Sequence, residues 1–307
     1  MEFAVILHQV IVIFMLMVVG FFAHKWQFIH KTGAKDMTKI LLYIVSPCVI
    51  LKAFQRPFSA DRLNGLVISL ICILVVYGFS ILAARFIFNN SFIKDSARRN
   101  ALKFSTTYSN AGFMGIPLVS SILGSSGVFF ATPYLAGFNL LCWTHGISLY
   151  RTHQSKKRII ENMFNPNILA IFIGFGLFLF SIRLPALLAT GVTYLSNLNT
   201  PLSMIVIGDS MASVSPLGLF ADKLIWPGIV MRNLIVPTGT LVLLHFTGIG
   251  QTVLLTTVLL SSCPVAGIVI LFALLNDSDT AFPTRLMTVS TLLSIITIPL
   301  VAALAVL

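Results

Sequence analysis

Residues 108–117 read Tyr-Ser-Asn-Ala-Gly-Phe-Met-Gly-Ile-Pro, in the middle of an apolar segment (residues 101–123) that is long enough to cross a bilayer. The stretch is nonetheless a poor helix. Gly112 and Gly115 loosen the backbone, and Pro117 lacks an amide donor and clashes with the preceding turn. Irregular backbone at membrane depth is tolerated only where it is buried in protein or lines a cavity. The stretch therefore predicts a broken transmembrane helix that forms half of a binding site.

The second half of the chain repeats this order of helix breaks. The breaks lie at Ser46-Pro47 and residues 108–117 in the first half, and at Thr200-Pro201 and residues 262–268 (Ser-Cys-Pro-Val-Ala-Gly-Ile) in the second. Proline and glycine also produce plain kinks in membrane helices, which is the alternative interpretation. Because the breaks recur in corresponding helices, we favour two discontinuous helices that meet at one site.

The composition is that of a membrane protein. Of the 307 residues, 57% are hydrophobic and only 9% are charged, whereas a soluble domain carries about 25% charged residues. The net charge of +11 does not indicate nucleic-acid binding, because the basic residues fall in short clusters between apolar segments. The four cysteines lie in apolar runs without metal-ligand spacing, so we expect free thiols and no bound metal.

Ten apolar segments of roughly 20 residues, the length that a bilayer requires, follow one another along the chain. They are approximately residues 3–23, 37–55, 65–88, 101–123, 127–150, 164–182, 186–212, 220–246, 251–275 and 283–306. Five spans per half make the two halves face opposite ways across the membrane. We therefore expect an all-α polytopic membrane protein of two inverted five-helix repeats, with spans 4 and 9 broken. The repeats would be residues 1–150 and 163–307, joined by a basic cytoplasmic loop at residues 151–162.

The distribution of positive charge predicts the orientation. If both termini lie outside the cell, 15 of the 20 lysines and arginines fall on the cytoplasmic side. The exceptions are Lys52, Arg56, Arg62 and Arg183 on the outer side, and Arg232 within a span. The first apolar run precedes its positive charges, which is typical of a retained helix rather than a signal peptide. We expect a multi-pass protein of the cytoplasmic membrane.

The sequence resembles the auxin efflux carrier family, which groups plant PIN proteins with bacterial malate permease-like carriers. The similarity extends over nearly the whole chain. Its elements are Asn110 with residues 115–118 (Gly-Ile-Pro-Leu), residues 165–167 (Asn-Pro-Asn), residues 184–187 (Leu-Pro-Ala-Leu), Met231-Arg232 with Pro237, Cys263-Pro264, residues 267–269 (Gly-Ile-Val) and Phe272-Ala273. The chain lacks the long central loop of the plant members, and Ile270 replaces the second proline of their ninth-helix motif.

This resemblance implies a fold shared with bile-acid symporters and sodium/proton antiporters. Helices 4 and 9 would cross each other, helices 1, 2, 6 and 7 would form a scaffold, and the remainder would form a moving transport domain. The resemblance also implies an elevator-type movement and a homodimer that associates through the scaffold.

The candidate substrate-binding residues lie in the two breaks. They are Asn110, Ser109, Tyr108, Gly112, Pro117, Ser262, Cys263, Pro264 and Gly267. Asn110 offers two donors and an acceptor, enough to bind a carboxylate. The alternative is that its side chain only satisfies freed backbone carbonyls. Tyr108 either closes the cavity or only packs.

Asp209 and Arg232 are the charges deepest within predicted spans. An intramembrane ionisable group is costly, which makes a function in transport the default hypothesis. The alternative is an ion pair between the two side chains that has a purely structural role.

The sequence predicts a secondary transporter of small organic anions, carboxylates such as malate or auxin-like acids, that works by alternating access. We expect a membrane-lipid environment, no cofactor, a possible co-transported proton or sodium ion, and no enzymatic activity, since no Ser/His/Asp constellation is evident. The alternatives are a sodium-coupled symporter or cation/proton antiporter of the same fold, a channel, and a non-transporting receptor. Antiporters of this fold would place carboxylates at the crossing, and neither break contains one.

Overall fold

The computed structural model describes residues 3–150, 166–212, 218–220, 222–275 and 278–306. Within these ranges the chain is helical and forms no β-strand, apart from an isolated antiparallel bridge between Ser109 and Val265. The predicted basic loop at residues 151–162 lies outside the described residues.

We divide the described residues into twelve helical segments and number them in chain order. They are α1 (Phe3–Lys25), α2 (Thr32–Phe54), α3 (Ala60–Ile87), α4 (Ser96–Thr107), α5 (Ala111–Leu149), α6 (Pro166–Leu179), α7 (Ala186–Asn197), α8 (Asn199–Ala212), α9 (Ile225–His245), α10 (Gln251–Ser262), α11 (Ile268–Leu275) and α12 (Ala281–Val306). In the described part of the chain, six of these are long and apolar enough to cross a membrane: α1, α2, α3, α5, α9 and α12. The protein is thus an all-helical polytopic membrane protein.

Gly124 divides α5 into two parts. The segment has 39 residues, which corresponds to about 58 Å of helix, nearly twice the thickness of the hydrocarbon core. At Gly124 the backbone adopts φ 61° and ψ −155°, a conformation that is essentially restricted to glycine. The chain doubles back here, because Tyr108 contacts Leu141 and His145 on the far side of Gly124. The reversal lies between residue 123, where one predicted span ends, and residue 127, where the next begins.

Three prolines follow wide turns of π-helix. Pro47, Pro117 and Pro237 each lie two residues after the end of a π turn, the turns being Leu41–Val45, Ala111–Gly115 and Met231–Ile235. Proline lacks an amide donor, and its ring crowds the carbonyl four residues earlier. In each case that carbonyl belongs to the π turn, so the widened turn relieves the clash and the helix continues.

The helices pack in two groups. In the first, α1 packs most extensively against α8, and α2 packs against α6 and α7. In the second, α10 packs against α5, α9 and α12, and α3 packs against α5. The α1–α8 contact is close because both helices have glycine at the crossing. A Cβ atom on Gly20 would overlap the carbonyl oxygen of Ile205, and one on Gly208 would overlap that of Met17.

Contacts between loops define two ends of the bundle. At one, which we call the Arg56 end, the Leu184 amide donates to Gln55 Oε1 (2.8 Å) and the Phe58 amide donates to Ser181 Oγ (3.1 Å). At the other, the Arg98 end, the Arg98 guanidinium forms an ion pair with Asp222 (3.0 Å). Because α3 joins the two ends, they lie on opposite faces of the bundle.

Candidate functional site

The two predicted breaks cross each other in the middle of the second helix group. The Asn110 amide donates to the carbonyl of Pro264 (2.7 Å), and the Ala266 amide donates to that of Tyr108 (3.1 Å). These bonds form the isolated bridge between Ser109 and Val265. Each break therefore satisfies backbone groups of the other in a buried part of the bundle.

Asn110 is the candidate residue whose polar side chain is left without a partner at the crossing. Its carbonyl accepts the amides of Met114 and Gly115, both at 3.0 Å. Its side-chain amide is half-buried and has no hydrogen-bond partner in the part of the chain that the structure describes. The Asn110 carboxamide therefore does not donate to freed backbone carbonyls. This contradicts the alternative interpretation that satisfying such carbonyls is its only role.

Gly112 and Gly267 also leave space beside the crossing. A Cβ atom on Gly112 would meet nothing within 4 Å, and one on Gly267 would meet only Met287 Sδ at 3.4 Å. Gly267 is exposed and Gly112 is half-buried. Pro117, in contrast, is buried one turn further along α5. It affects the geometry of the helix and does not contribute to the open surface beside the crossing.

The hydroxyl groups of Tyr108 and Ser109 are used within the protein. Tyr108 donates to the Leu141 carbonyl (2.8 Å), and its oxygen lies 2.9 Å from His145 Nδ1. Ser109 Oγ lies 3.3 Å from the hydroxyl of Tyr134. Both residues are buried. Tyr108 therefore packs behind the crossing and does not close a cavity in this conformation.

Ser262 and Cys263 bond to their own helix. Ser262 Oγ donates to the carbonyl of Val258 (2.7 Å), and Cys263 Sγ donates to that of Leu259 (3.3 Å). Both side chains are buried. Neither side chain faces the open side of the crossing in this conformation.

Arg232 binds the ends of both interrupted helices. Its guanidinium is fully buried and donates to the carbonyls of Thr106 (2.9 Å), Thr107 (3.4 Å) and Ser261. These carbonyls belong to the last turns of α4 and α10, where helices have unpaired acceptors and a partial negative charge. One cation therefore offsets the negative ends of both half-helices.

The predicted ion pair between Asp209 and Arg232 is wrong. Asp209 Oδ1 lies 2.8 Å from Nδ1 of His24 on α1, while Arg232 uses the backbone carbonyls just described. The two charges belong to different helix groups, since Asp209 is on α8 and Arg232 is on α9. The acceptors of the Arg232 guanidinium are main-chain carbonyls. The pattern of charged side chains in the sequence cannot reveal such acceptors.

A second polar cluster supports the crossing from α12. The Val265 amide donates to Ser290 Oγ (3.1 Å), and Ser290 Oγ donates to Asn233 Oδ1 (2.6 Å). Asn233 Nδ2 donates in turn to the Ser290 carbonyl (2.9 Å). All three residues are buried. Sequence reasoning missed Asn233 and Ser290, because neither lies in a helix break.

A cavity of about 280 Å³ lies between the two helix groups, toward the Arg56 end. Polar side chains from α2, α5, α7 and α8 line it, including Lys52, Ser120, Asn197 and Thr200. Asn110 does not line the cavity. Ser120 follows Asn110 by ten residues, about 15 Å along a helix.

Comparison with known proteins assigns the chain to a family. A family model described as membrane transport protein, the auxin efflux carrier-like family, matches residues 5–162 and 150–302. The chain belongs to this family. The transporter is 26% identical over 296 residues to an uncharacterized transporter of Methanothermobacter thermautotrophicus, covering 95% of each chain. It is 24% identical over 318 residues to an uncharacterized transporter of Methanocaldococcus jannaschii, covering 95% of this chain and 96% of that one.

The family assignment confirms the resemblance inferred from the sequence. The structure brings the predicted residues of the two breaks together, but only Asn110, Gly112 and Gly267 face open space. The transporter has a further polar surface that sequence reasoning missed, at Lys52 and Asn197 in the cavity. In the sequence, Lys52 is only an exception to the charge distribution, and only the packing of α2 against α7 reveals its neighbour.

Proposed function

We propose that the transporter moves small organic anions, carboxylates in particular, across the cytoplasmic membrane by alternating access. The observation that carries this proposal is the unpartnered carboxamide of Asn110 at the crossing, three residues beyond Thr107, whose carbonyl accepts from the buried cation of Arg232. A carboxamide nitrogen donates hydrogen bonds, and a carboxylate accepts them.

The electrostatics of the crossing favour an anion over a cation. The carbonyls at the negative ends of α4 and α10 are already bonded to Arg232. The ends that remain are the N-termini of α5 and α11, whose amides give a partial positive charge. Neither break contains an Asp or a Glu. A cationic cargo would face these positive groups without a carboxylate to offset them.

The hydrogen bonds of Arg232 to the helix-end carbonyls also indicate which ion, if any, is co-transported. In discontinuous helices, sodium is commonly coordinated by carbonyls at the C-terminal ends of half-helices. Here a guanidinium occupies such carbonyls, so we favour an anion carrier, uncoupled or proton-coupled, over the sodium-coupled symporter that is the second candidate. Replacing sodium by choline in the external buffer should leave initial uptake rates unchanged.

The architecture that fits this activity has ten spans in two inverted repeats. In it, α4 with the first part of α5 is span 4, the second part of α5 is span 5, and α10 with α11 is span 9. The reversal at Gly124 and the alternation of the loops between the Arg56 and Arg98 ends support this arrangement. The group of α1, α2, α6, α7 and α8 would be the scaffold, and the other helices would move as an elevator.

Uptake of a labelled mono- or dicarboxylate into proteoliposomes tests the function. We expect uptake by the wild type and a loss of at least tenfold in Asn110→Ala, with the folded yield unchanged because Asn110 makes no side-chain bond. The matched control is Asn139→Ala, which removes another half-buried asparagine that bonds within α5, to the Leu135 carbonyl. Wild-type transport restricted to cations, or full carboxylate flux in Asn110→Ala, contradicts the proposal.

A further inference from the structure

His145, near the C-terminal end of α5, has one ring nitrogen bound and the other free. The side chain is half-buried, and its Nδ1 lies 2.9 Å from the hydroxyl oxygen of Tyr108. Its Nε2 has no hydrogen-bond partner among the residues that the structure describes, and it is not fully buried. The transport mechanism described so far does not use this histidine.

The hydrogen bonds of Tyr108 indicate which nitrogen of His145 carries the first proton. The Tyr108 hydroxyl has a single proton, which it donates to the Leu141 carbonyl at 2.8 Å. The contact at 2.9 Å is then a hydrogen bond only if His145 Nδ1 donates a proton to the Tyr108 oxygen. In neutral His145 the free lone pair is therefore on Nε2. A second proton binds there without disturbing the contact with Tyr108.

The charged groups around His145 are positive. α4 contributes Lys103, whose charge acts on His145, and Lys103 is in turn acted on by Arg99 of α4 and Arg85 of α3. α11 packs against this part of α5 through the ring of Phe272, which does not titrate. No carboxylate pairs with His145 within the described ranges. The other titratable groups of this region, neutral at physiological pH, are Tyr77, Tyr108, Cys142 and Tyr150. A positive charge on His145 thus has no counter-charge until an anion enters.

Tyr108 connects His145 to the crossing. Its backbone carbonyl accepts the Ala266 amide at 3.1 Å, and Asn110 follows two residues later. The 2.9 Å contact, a tyrosine side chain and two peptide units place His145 Nδ1 at most about 17 Å from the Cα atom of Asn110. At that distance a unit charge changes the affinity for a monovalent anion about fivefold, with an effective dielectric constant of about 20. A shorter path gives a larger effect.

We propose that His145 is a proton-binding site of the transporter and takes up a proton from the medium at Nε2 when a carboxylate binds at Asn110. The inference rests on the proposed anion transport and specifies its coupling ion. The anion supplies the negative charge that the surroundings of His145 lack, and the imidazolium strengthens anion binding by the same factor. Proton and anion then cross the membrane together, and the proton offsets one negative charge of the cargo.

The proposal fixes the direction of the pH dependence. Imidazole groups titrate in the physiological range, whereas carboxylic acids are almost fully ionised above about pH 6. Lowering the pH from 8 to 6.5 therefore protonates the histidine and leaves the cargo an anion. The affinity for a carboxylate should rise over this interval, by about twofold or more as part of the fivefold limit.

Isothermal titration of the purified protein with malate, in two buffers of different ionisation enthalpy, counts the protons taken up per anion. At pH 6.5 we expect a net uptake of a fraction of a proton by the wild type and none by His145→Gln, whose carboxamide keeps a donor but binds no proton. The pH dependence of malate affinity should disappear in the same variant. The matched control is His245→Gln, which removes an exposed histidine at the end of α9 and should change neither quantity.

A second measurement uses the wild type alone and does not depend on how well His145→Gln folds. Proteoliposomes that contain a pH-sensitive dye should acidify internally while malate enters, and an inward proton gradient should raise the initial uptake rate. Malate entry at constant internal pH overturns the proton site. So does malate binding without proton uptake, or proton uptake that persists in His145→Gln.

These outcomes separate the proton site from the function on which it rests. If Asn110→Ala abolishes malate uptake while wild-type liposomes keep a constant internal pH, anion transport stands and the proton site is wrong. Full malate uptake in Asn110→Ala overturns the cargo site at the crossing. Proton uptake that is lost in His145→Gln then still supports His145 as a proton-binding residue.

Discussion

Arg232 shows how much one side chain contributes to a crossing of broken helices. Three carbonyls at the ends of two half-helices accept hydrogen bonds from its guanidinium, although 126 residues separate Arg232 from Thr106. A hydrogen bond to a charged group contributes about 1.5–3 kcal/mol. Without the cation, these buried acceptors would be left unpaired and the negative helix ends would face each other.

We therefore expect Arg232→Met to lower the apparent melting temperature and the folded yield markedly, by a destabilisation of about 3 kcal/mol or more. Arg232→Lys should be intermediate, because an ammonium keeps the charge but cannot reach all three carbonyls at once. Fluorescence-detected size-exclusion chromatography after heating measures both quantities.

A substitution of Asp209 serves as the control for the Arg232→Met experiment. Because Asp209 bonds to His24 rather than to Arg232, Asp209→Asn should not rescue Arg232→Met. The two changes should be additive, as expected for residues without a shared partner. Recovery of yield in the double variant would restore the ion-pair hypothesis that the structure contradicts.

At the scale of elements, the reversal within α5 depends on a glycine. Gly124 has φ 61° and ψ −155° with open space around its Cβ position, so only backbone strain opposes a side chain there. We expect Gly124→Ala to cost about 1–3 kcal/mol and to lower the melting temperature.

The matched control for this element is Gly191→Ala. Gly191 lies in α7, also has nothing within 4 Å of its Cβ position, and does not have a positive φ. Alanine in a helix interior is favoured over glycine by about 1 kcal/mol. The control should be neutral or stabilising, and equal effects of the two substitutions would show that strain at Gly124 is unimportant.

The helix elements also show where sequence reasoning works. The breaks at residues 108–117 and 262–268 could be predicted because glycine and proline act on their own backbone. The contacts of Arg232 with Thr106, of Asp209 with His24 and of Lys52 with Asn197 could not be predicted, because each joins residues more than a hundred positions apart in the chain. Those contacts depend on how the two helix groups pack, which periodicity and composition do not determine.

At the scale of the whole molecule, the distribution of loops between the two ends makes topology testable. In a background with the four native cysteines replaced by serine, Lys94→Cys and Gly250→Cys place single thiols at exposed positions. With a membrane-impermeant maleimide on intact cells, we expect label at position 250 and none at 94 until the membrane is opened. Label at both positions, or at 94 alone, contradicts the inverted arrangement or its orientation.

The bridge between Ser109 and Val265 consists of main-chain atoms only. Any residue with an amide at positions 110 and 266 can form its two hydrogen bonds, so these bonds place no demand on side-chain chemistry. The side chain at position 110 is therefore free to diverge while the crossing persists. If Asn110 binds the cargo as proposed, single replacements at this position would change the cargo without passing through misfolded intermediates.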